Sequence, residues 1–185
     1  MDFALLGVCY DGTQTLRKGA SKSPDIIRRI LPRLETFVSG IDLSEHFIED
    51  LGNVGATSFI ELKEKISSIR FKKFPIVIGG EHTISLPLVE LLKPKKFVAL
   101  DAHPDLEDKE DHSGVIRKIV KEIGTENVFI YGVRAMSKSE NQFIKDNIIK
   151  INSLEPLKRI KEPTYLSIDF AFRRDSASRN CWPLR

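Results

Sequence analysis

Short apolar segments alternate with amphipathic segments along most of this chain, and this alternation is the strongest constraint on its fold. Residues 75–78, 97–100 and 128–131 are continuous apolar runs, each followed by a Gly or an Asp. Runs of this kind predict strands that are buried on both faces. Because such strands need helices on both sides, the sequence predicts an α/β fold, a three-layer αβα sandwich around a mainly parallel sheet.

The segments between these runs carry the other predicted elements. Further strands are predicted at residues 3–8, 148–151 and 165–168, and helices at 57–69, 86–92, 115–123 and 137–147. Another helix is predicted to begin at Ser23, as its N-cap, followed by Pro24 in the first turn. Pro32 is expected to kink or end that helix.

Length and composition exclude several classes of protein. The chain has 185 residues, 41% hydrophobic and 30% charged, which predicts a soluble globular protein with one main domain. It contains no apolar run of the roughly 18 residues that a membrane helix needs, and its N-terminus does not resemble a signal peptide. The two cysteines form no disulfide framework, so we expect a cytoplasmic location. The formal charge of +3 is spread along the chain, which argues against nucleic-acid binding.

Three of the predicted strand ends carry side chains that could perform chemistry. Gly-Gly-Glu-His follows one strand at residues 79–82, Asp-Ala-His-Pro-Asp follows another at 101–105, and Ser-Ile-Asp ends a third at 167–169. Ligands of open parallel sheets collect at the carboxyl ends of the strands. The sequence therefore predicts that these three segments form one site.

The middle segment has the spacing of a metal site. In an extended chain, side chains alternate, so Asp101, His103 and Asp105 would point the same way. Carboxylates and imidazole without thiolate suit Mn²⁺, Fe²⁺ or Zn²⁺, and bridging carboxylates allow a pair of ions. Taken singly, each Asp could instead be a turn or cap residue, and His82 could simply lie near a helix start. His46, in an acidic stretch, is expected to be a surface residue.

These blocks together resemble the ureohydrolases, the arginase/agmatinase family. The resemblance runs from near Gly7 to Phe170, and includes weaker blocks in the same order. These are Tyr-Asp-Gly-Thr at residues 10–13, Asp-Leu-Gly at 50–52 and Gly-Val-Arg at 132–134. It implies an arginase-like fold over residues 1–170 whose C-terminal part is missing, followed by an atypical basic tail at 171–185.

The resemblance also implies a two-manganese site. The residues that match the family's ligands are His82, Asp101, Asp105 and Asp169 for one ion, and His103 with Asp101 and Asp169 as bridges for the other. In the family, a metal-bridging hydroxide attacks the guanidinium carbon, and urea leaves.

The proton for the leaving amine comes from a nearby histidine in the family, and His112 matches it. His112 and Asp105 are therefore the predicted catalytic residues. Glu81 stands where many relatives have Asp and would orient its neighbours rather than bind metal. The alternative for His112 is an exposed residue at the start of a helix.

The substrate implied by the resemblance is a small cationic guanidino compound. Glu107, Asp108, Glu110 and Asp111 form an acidic run that favours a substrate without a carboxylate, such as agmatine, unless the run is only a solvated loop. An agmatinase-type hydrolase would serve polyamine biosynthesis and arginine metabolism. The family also implies a homo-oligomer, a trimer or hexamer. No nucleic-acid or membrane partner is expected.

The chain departs from the family at residue 171. The family's last metal motif is Ser-x-Asp-x-Asp, and here Ala171 replaces its final carboxylate. The tail from there carries four Arg, no Lys and the single Trp, so either a frameshift or a genuine short tail accounts for it. We expect the second metal to be weakened and the sheet to have an unpaired edge. Competing hypotheses are a catalytically impaired binding or assembly subunit, an arginase or formiminoglutamase type of hydrolase, or a deacetylase.

Overall fold

The computed structural model describes residues 2–14, 18–153 and 157–170 of the chain. The chain divides into two compact units, Met1–Leu92 and Lys93–Arg185. Each unit contains a parallel sheet with helices, so the two are described in turn.

The first unit is built on a three-stranded parallel sheet. Its elements are β1 (Phe3–Cys9), α1 (Ser23–Ile30), β2 (Phe37–Val38), β3 (Ile41–Asp42), β4 (Ile48–Gly55), α2 (Phe59–Ser67), β5 (Phe74–Gly79) and α3 (Ser85–Leu92). The strand order is β4-β1-β5, with Phe3 opposite Ile48 on one side and Phe74 on the other. Strands β2 and β3 pair separately as an antiparallel hairpin.

The core of this unit lies between β1 and the helices that follow it. Leu6 and Val8 of β1 are almost fully buried, as are Leu62 and Ile66 of α2. The spacing of Leu62 and Ile66, one helical turn apart, places both on the same face of α2. The Oγ of Ser58 accepts the Glu61 N–H and caps the start of that helix.

The first unit differs from the sequence predictions at the start of α1 and at β4. Ser23 is the first residue of α1 rather than its N-cap, because a 3₁₀ turn at Ala20–Lys22 leads directly into the helix. Pro32 lies in a further 3₁₀ turn just beyond Ile30, so the predicted end of the helix is confirmed. Strand β4 was not predicted, because most of its side chains are exposed and it has no continuous apolar run.

The second unit is built on a four-stranded sheet whose pairings are all parallel. Its elements are β6 (Lys96–Leu100), α4 (Val115–Ile123), β7 (Val128–Tyr131), α5 (Lys138–Asn147), β8 (Lys150–Ile151) and β9 (Thr164–Ile168). The strand order is β8-β7-β6-β9, and Leu100 of β6 is level with Tyr131 of β7 and Ile168 of β9. The predicted strands at 97–100, 128–131 and 165–168 are confirmed.

Strand β6 lies inside this sheet and its three middle residues are buried, as its unbroken apolar run predicts. Phe97 is fully buried and stacks on Tyr165 of β9, with ring centroids 5.4 Å apart. Helix α4 buries Ile116 and Ile119 on one face. The apolar residues of β6, β7 and α4 therefore form the core of the second unit.

Strand β9 is different, because one of its edges has no neighbour among the described residues. Leu166 is 57% exposed and Ile168 is 59% exposed. Residues two apart on a strand point to the same face, so these two side chains form an apolar stripe. The expected unpaired edge is present in the described part of the sheet.

The structure does not test the predicted division of the chain into a domain and a tail. One domain over residues 1–170 stays a prediction, and the tail at 171–185, including Ala171, lies outside the described residues. Within the described ranges, no helix combines the length and the apolar character needed to cross a lipid bilayer.

Candidate metal centre

Asp101 and Asp169 follow two neighbouring parallel strands of the second unit. Leu100 and Ile168 are level in the sheet, and the Asp169 N–H donates to the Leu100 carbonyl at 2.9 Å. A carboxylate oxygen of Asp101 lies within 4.8 Å of one from Asp169. Asp101 is buried and Asp169 is half-buried. The structure thus brings together two of the predicted metal ligands, because the carboxyl ends of neighbouring parallel strands meet at one edge of the sheet.

The segment after Asp101 is not extended, so the argument from alternating side chains is wrong. The chain bends at Ala102 and His103, and Asp101 Oδ1 accepts the His103 N–H at 2.9 Å. The imidazole Nδ1 of His103 lies 3.8 Å from the same oxygen. His103 is exposed, unlike Asp101. The bend still leaves an imidazole beside a carboxylate at the strand end.

Asp105 is buried in a left-handed backbone conformation, with φ of 47°. Its carbonyl accepts the N–H groups of Ile116 and Arg117, in the first turn of α4, at 3.0 and 3.3 Å. Asp tolerates this conformation better than most residues. The turn brings the backbone of Asp105 against the start of α4.

His112 lies in the 3₁₀ turn His112–Gly114 that leads into α4, and it is half-buried. Asp111 caps this turn by accepting the Ser113 N–H at 2.9 Å and its hydroxyl at 2.5 Å. Burial raises the pKa of Asp111, but these two hydrogen bonds outweigh it and hold the pKa below its usual value. His112 is therefore in an ordered turn rather than in the helix, and its role as proton donor stays a prediction.

The acidic side chains of residues 107–111 form hydrogen bonds and ion pairs within the second unit. Glu107 accepts the Ser139 hydroxyl at 2.9 Å, Asp108 lies 3.5 Å from Arg117 Nε, and Glu110 lies 2.8 Å from Lys118 Nζ. Hydrogen bonds from the hydroxyls of Ser137 and Ser139 lower the pKa of Glu107. These contacts favour a structural role for the run over an acidic rim that selects a substrate.

His82 belongs to the first unit, where it begins a 3₁₀ turn immediately after β5 and is half-buried. Its neighbour Glu81 is buried and binds the first loop of the chain. Glu81 Oε1 accepts the backbone N–H of Thr13 at 3.0 Å and its hydroxyl at 2.7 Å. The Glu81 N–H donates to the carbonyl of Tyr10 at 3.0 Å. Glu81 thus joins the loop to the strand end that carries His82, in agreement with the orienting role expected for it.

Two residues that support the second unit's loops were missed by the sequence reasoning. Glu140 accepts the Leu106 N–H at 3.1 Å, and Asn152 Oδ1 accepts the N–H groups of Gly132 and Val133 at 2.8 and 3.0 Å. The Ser-x-x-Glu pattern at residues 137–140 is typical of a helix start, but nothing in it indicates a second partner for Glu140. The link from Asn152 spans about twenty residues and has no sequence signal.

The donor set of this strand end fits manganese. The carboxylate of Asp101 lies beside that of Asp169 and 3.8 Å from the imidazole of His103, and Asp105 is buried four residues further along the same segment. Burying several carboxylates close together is costly unless a cation offsets their charge. Oxygen and imidazole ligands without thiolate are the chemistry that Mn²⁺ accepts. His82, the remaining predicted ligand, lies in the first unit, and its role as a ligand stays a prediction.

The chain has relatives among known proteins. Residues 1–172 match the Arginase family. The N(1)-aminopropylagmatine ureohydrolase of Thermococcus kodakarensis is 31% identical over 191 residues, which cover 90% of this chain and 66% of that protein. The agmatinase of Pyrococcus horikoshii is 33% identical over 192 residues, covering 91% of this chain and 67% of that protein.

The solved structure of the agmatine ureohydrolase of Thermoplasma volcanium matches with a TM-score of 0.76 at 25% identity, covering 90% of this chain and 66% of that one. The chain thus spans about two thirds of the length of these relatives. The predicted arginase-like α/β fold with parallel strands is confirmed. Because the family match extends over nearly all of the sequence and the fold agrees with it, the chain belongs to the arginase family.

Proposed function

We propose that this chain is a manganese-dependent ureohydrolase that cleaves a guanidino compound to urea and an amine. The observation that carries the proposal is the pair of carboxylates, Asp101 and Asp169, at the ends of adjacent parallel strands with oxygens within 4.8 Å. Asp105 and His103 would complete the ligands from the second unit, and His82 stays a predicted ligand. Manganese bound there would supply a Lewis acid and a source of hydroxide at neutral pH.

The protein's own groups have separate tasks in this reaction. The carboxylate of Asp101 is held by the His103 N–H and the backbone of Asp105 by the turn against α4, so these parts of the segment are ordered before any ion binds. Such orientation avoids reorganisation during the reaction. His112, in its capped turn, would hold the proton that the leaving amine nitrogen receives.

Agmatine or a close derivative is the proposed substrate. This choice is supported by the relatives at 31% and 33% identity, whose names are those of ureohydrolases of agmatine compounds. It does not depend on the acidic run at residues 107–111, whose carboxylates already have partners. Arginine or a formimino compound is the alternative. The predicted cytoplasmic location and trimeric or hexameric assembly accompany this proposal as predictions.

A second candidate is a binding or assembly subunit with impaired catalysis. The observation that favours it is Ala171, which stands where the resembling family motif has a carboxylate. The two candidates differ in metal stoichiometry. Two ions per chain, together with urea release, would support the enzyme. One ion without urea release would support the subunit.

The test is a calorimetric titration of the whole chain with Mn²⁺, in parallel with a urea assay on agmatine, arginine and N-formiminoglutamate. We expect Mn²⁺ to bind, and Asp101→Asn and Asp169→Asn to lower its affinity by about 10-fold or more, because each removes a charged ligand. Glu122→Gln is the control, since it removes an exposed carboxylate of α4 in the same unit.

Two results would contradict the proposal. One is a wild-type chain that binds no Mn²⁺ under conditions in which it is folded. The other is an affinity that stays at the wild-type value in both Asp variants.

A further inference from the structure

The peptide group between Asp105 and Leu106 is held at both of its ends. Its carbonyl oxygen accepts the N–H groups of Ile116 and Arg117 at 3.0 and 3.3 Å. Its N–H, on Leu106, donates to Glu140 Oε1 at 3.1 Å. Both Asp105 and Leu106 are buried, so no water replaces these contacts cheaply.

Glu140 makes this contact from the start of another helix. It is 6% exposed, and its second oxygen, Oε2, accepts the Ser137 N–H at 2.8 Å. The Ser137 hydroxyl in turn accepts the Glu140 N–H at 3.1 Å, which completes a capping box for α5. A capping box needs only one of the two carboxylate oxygens. The other oxygen binds a loop 34 residues away.

The contact matters because Asp105 has a left-handed backbone with φ of 47°. A residue other than Gly keeps such a conformation only where its surroundings impose it. Rotation of the peptide group to a common conformation would break the contacts of its oxygen with α4 and of its N–H with Glu140. The backbone at Asp105 sets the direction in which its carboxylate leaves the chain.

We propose that Glu140 is a positioning residue of the metal centre, which holds Asp105 in its left-handed turn by accepting the Leu106 N–H. This inference rests on the proposed function, because it assigns Asp105 to the metal. Glu140 itself does not touch the metal or the substrate. The alternative is that Glu140 only caps α5, and that its contact with Leu106 has no effect on metal binding.

Two variants separate these possibilities. Glu140→Leu keeps most of the volume of the side chain but has no acceptor, so the contacts with the Leu106 N–H and with the Ser137 N–H are both lost. Asn141→Gly lowers the helix propensity of the first turn of α5 at an exposed position and leaves both carboxylate oxygens of Glu140 in place. Both variants weaken the start of α5, but only the first one removes the acceptor of the Leu106 N–H.

The measurements are Mn²⁺ affinity by calorimetry and hydrogen exchange of the Leu106 amide in the metal-free chain. We expect Glu140→Leu to lower the affinity by about 10-fold and to speed the exchange of the Leu106 amide. Asn141→Gly should keep both at the wild-type values. Equal affinities for wild type and Glu140→Leu, with wild-type binding intact, would overturn the role of Glu140 but not the proposed function. A wild type that binds no Mn²⁺ would overturn the proposed function and this inference together.

A measurement on the wild type covers the case in which Glu140→Leu does not fold. The Leu106 amide should exchange more slowly than the amides of Asp108 and Lys109, which lie in the exposed part of the same loop. Exchange of Leu106 as fast as theirs would overturn the proposal, because the contact with Glu140 would then not hold the loop.

Discussion

Glu61 shows how much a single half-buried carboxylate can depend on its neighbours. Lys65 lies 2.6 Å from its Oε1, one helical turn later, and the Thr57 N–H and hydroxyl donate to Oε2 at 2.8 Å each. The hydrogen bond from Lys65, followed by those from Thr57, lowers the pKa of Glu61 to about 2. These contacts stabilise the start of α2, and they require Glu61 to be ionised.

The stability that Glu61 contributes should therefore depend on pH. Its pKa is lower in the folded chain than the ordinary value of 4.5, so the contribution is complete above pH 4.5 and disappears as the pH falls towards 2. We expect Glu61→Gln to unfold at a lower urea concentration than wild type at pH 7, with the two midpoints converging in acid. Glu64→Gln makes the same charge change at an exposed position of α2 and should show no such convergence. A difference for Glu61→Gln that persists unchanged at pH 2 would refute this explanation.

At the scale of elements, the end of β5 depends on a close approach of the first loop. A Cβ at Gly80 would collide with the carbonyl oxygen of Tyr10, the same oxygen that accepts the Glu81 N–H. Only Gly fits there without moving the loop away from Glu81. The packing of the loop on the strand end is therefore encoded in part by the absence of a side chain.

Gly80→Ala should lower the free energy of unfolding by about 1–3 kcal/mol, the usual cost of overpacking a close contact. Urea denaturation at neutral pH measures this change. Gly55→Ala is the matched control in β4, because its Cβ would have no atom nearer than 3.9 Å. If Gly80→Ala and Gly55→Ala lowered the free energy of unfolding by the same amount, the contact with Tyr10 would not be the cause. The cause would then be the intrinsic preference of these backbone positions for Gly.

At the scale of the whole molecule, the open edge of β9 is the feature most prone to self-association. Leu166 and Ile168 are exposed on one face of a strand whose outer edge has no partner within the described residues. An unpaired strand edge with apolar side chains offers a template for a strand of a second copy. Charged side chains on an edge strand usually protect it from such pairing. The exposed side chains of Leu166 and Ile168 on this face of β9 are apolar.

Leu166→Lys should raise the protein concentration at which the chain begins to associate, as measured by sedimentation velocity. Ile60→Lys is the control, because Ile60 is 72% exposed on helix α2 rather than on a strand. It makes the same chemical change and should leave the association unaltered. An equal effect of both variants would mean that net charge, and not the strand edge, controls association.

Several elements could be predicted from the sequence because their signals are local. Helix α4 and strand β7 have the predicted bounds, since an apolar stripe or an unbroken apolar run depends only on neighbouring residues. Strand β4 escaped prediction because it lies at a sheet edge with most side chains exposed. Its pairing with β1 comes from backbone hydrogen bonds, which leave no pattern in the side chains.

The candidate site could also be predicted only in part. That Asp101 and Asp169 would lie side by side follows from the sequence, because the ends of parallel strands meet at one edge of a sheet. The bend at His103, the left-handed turn at Asp105 and the contact of Glu140 with Leu106 were decided only by the tertiary structure. Each of these depends on hydrogen bonds between residues far apart in the chain, and their donors and acceptors are brought together only when the sheet and its helices have formed.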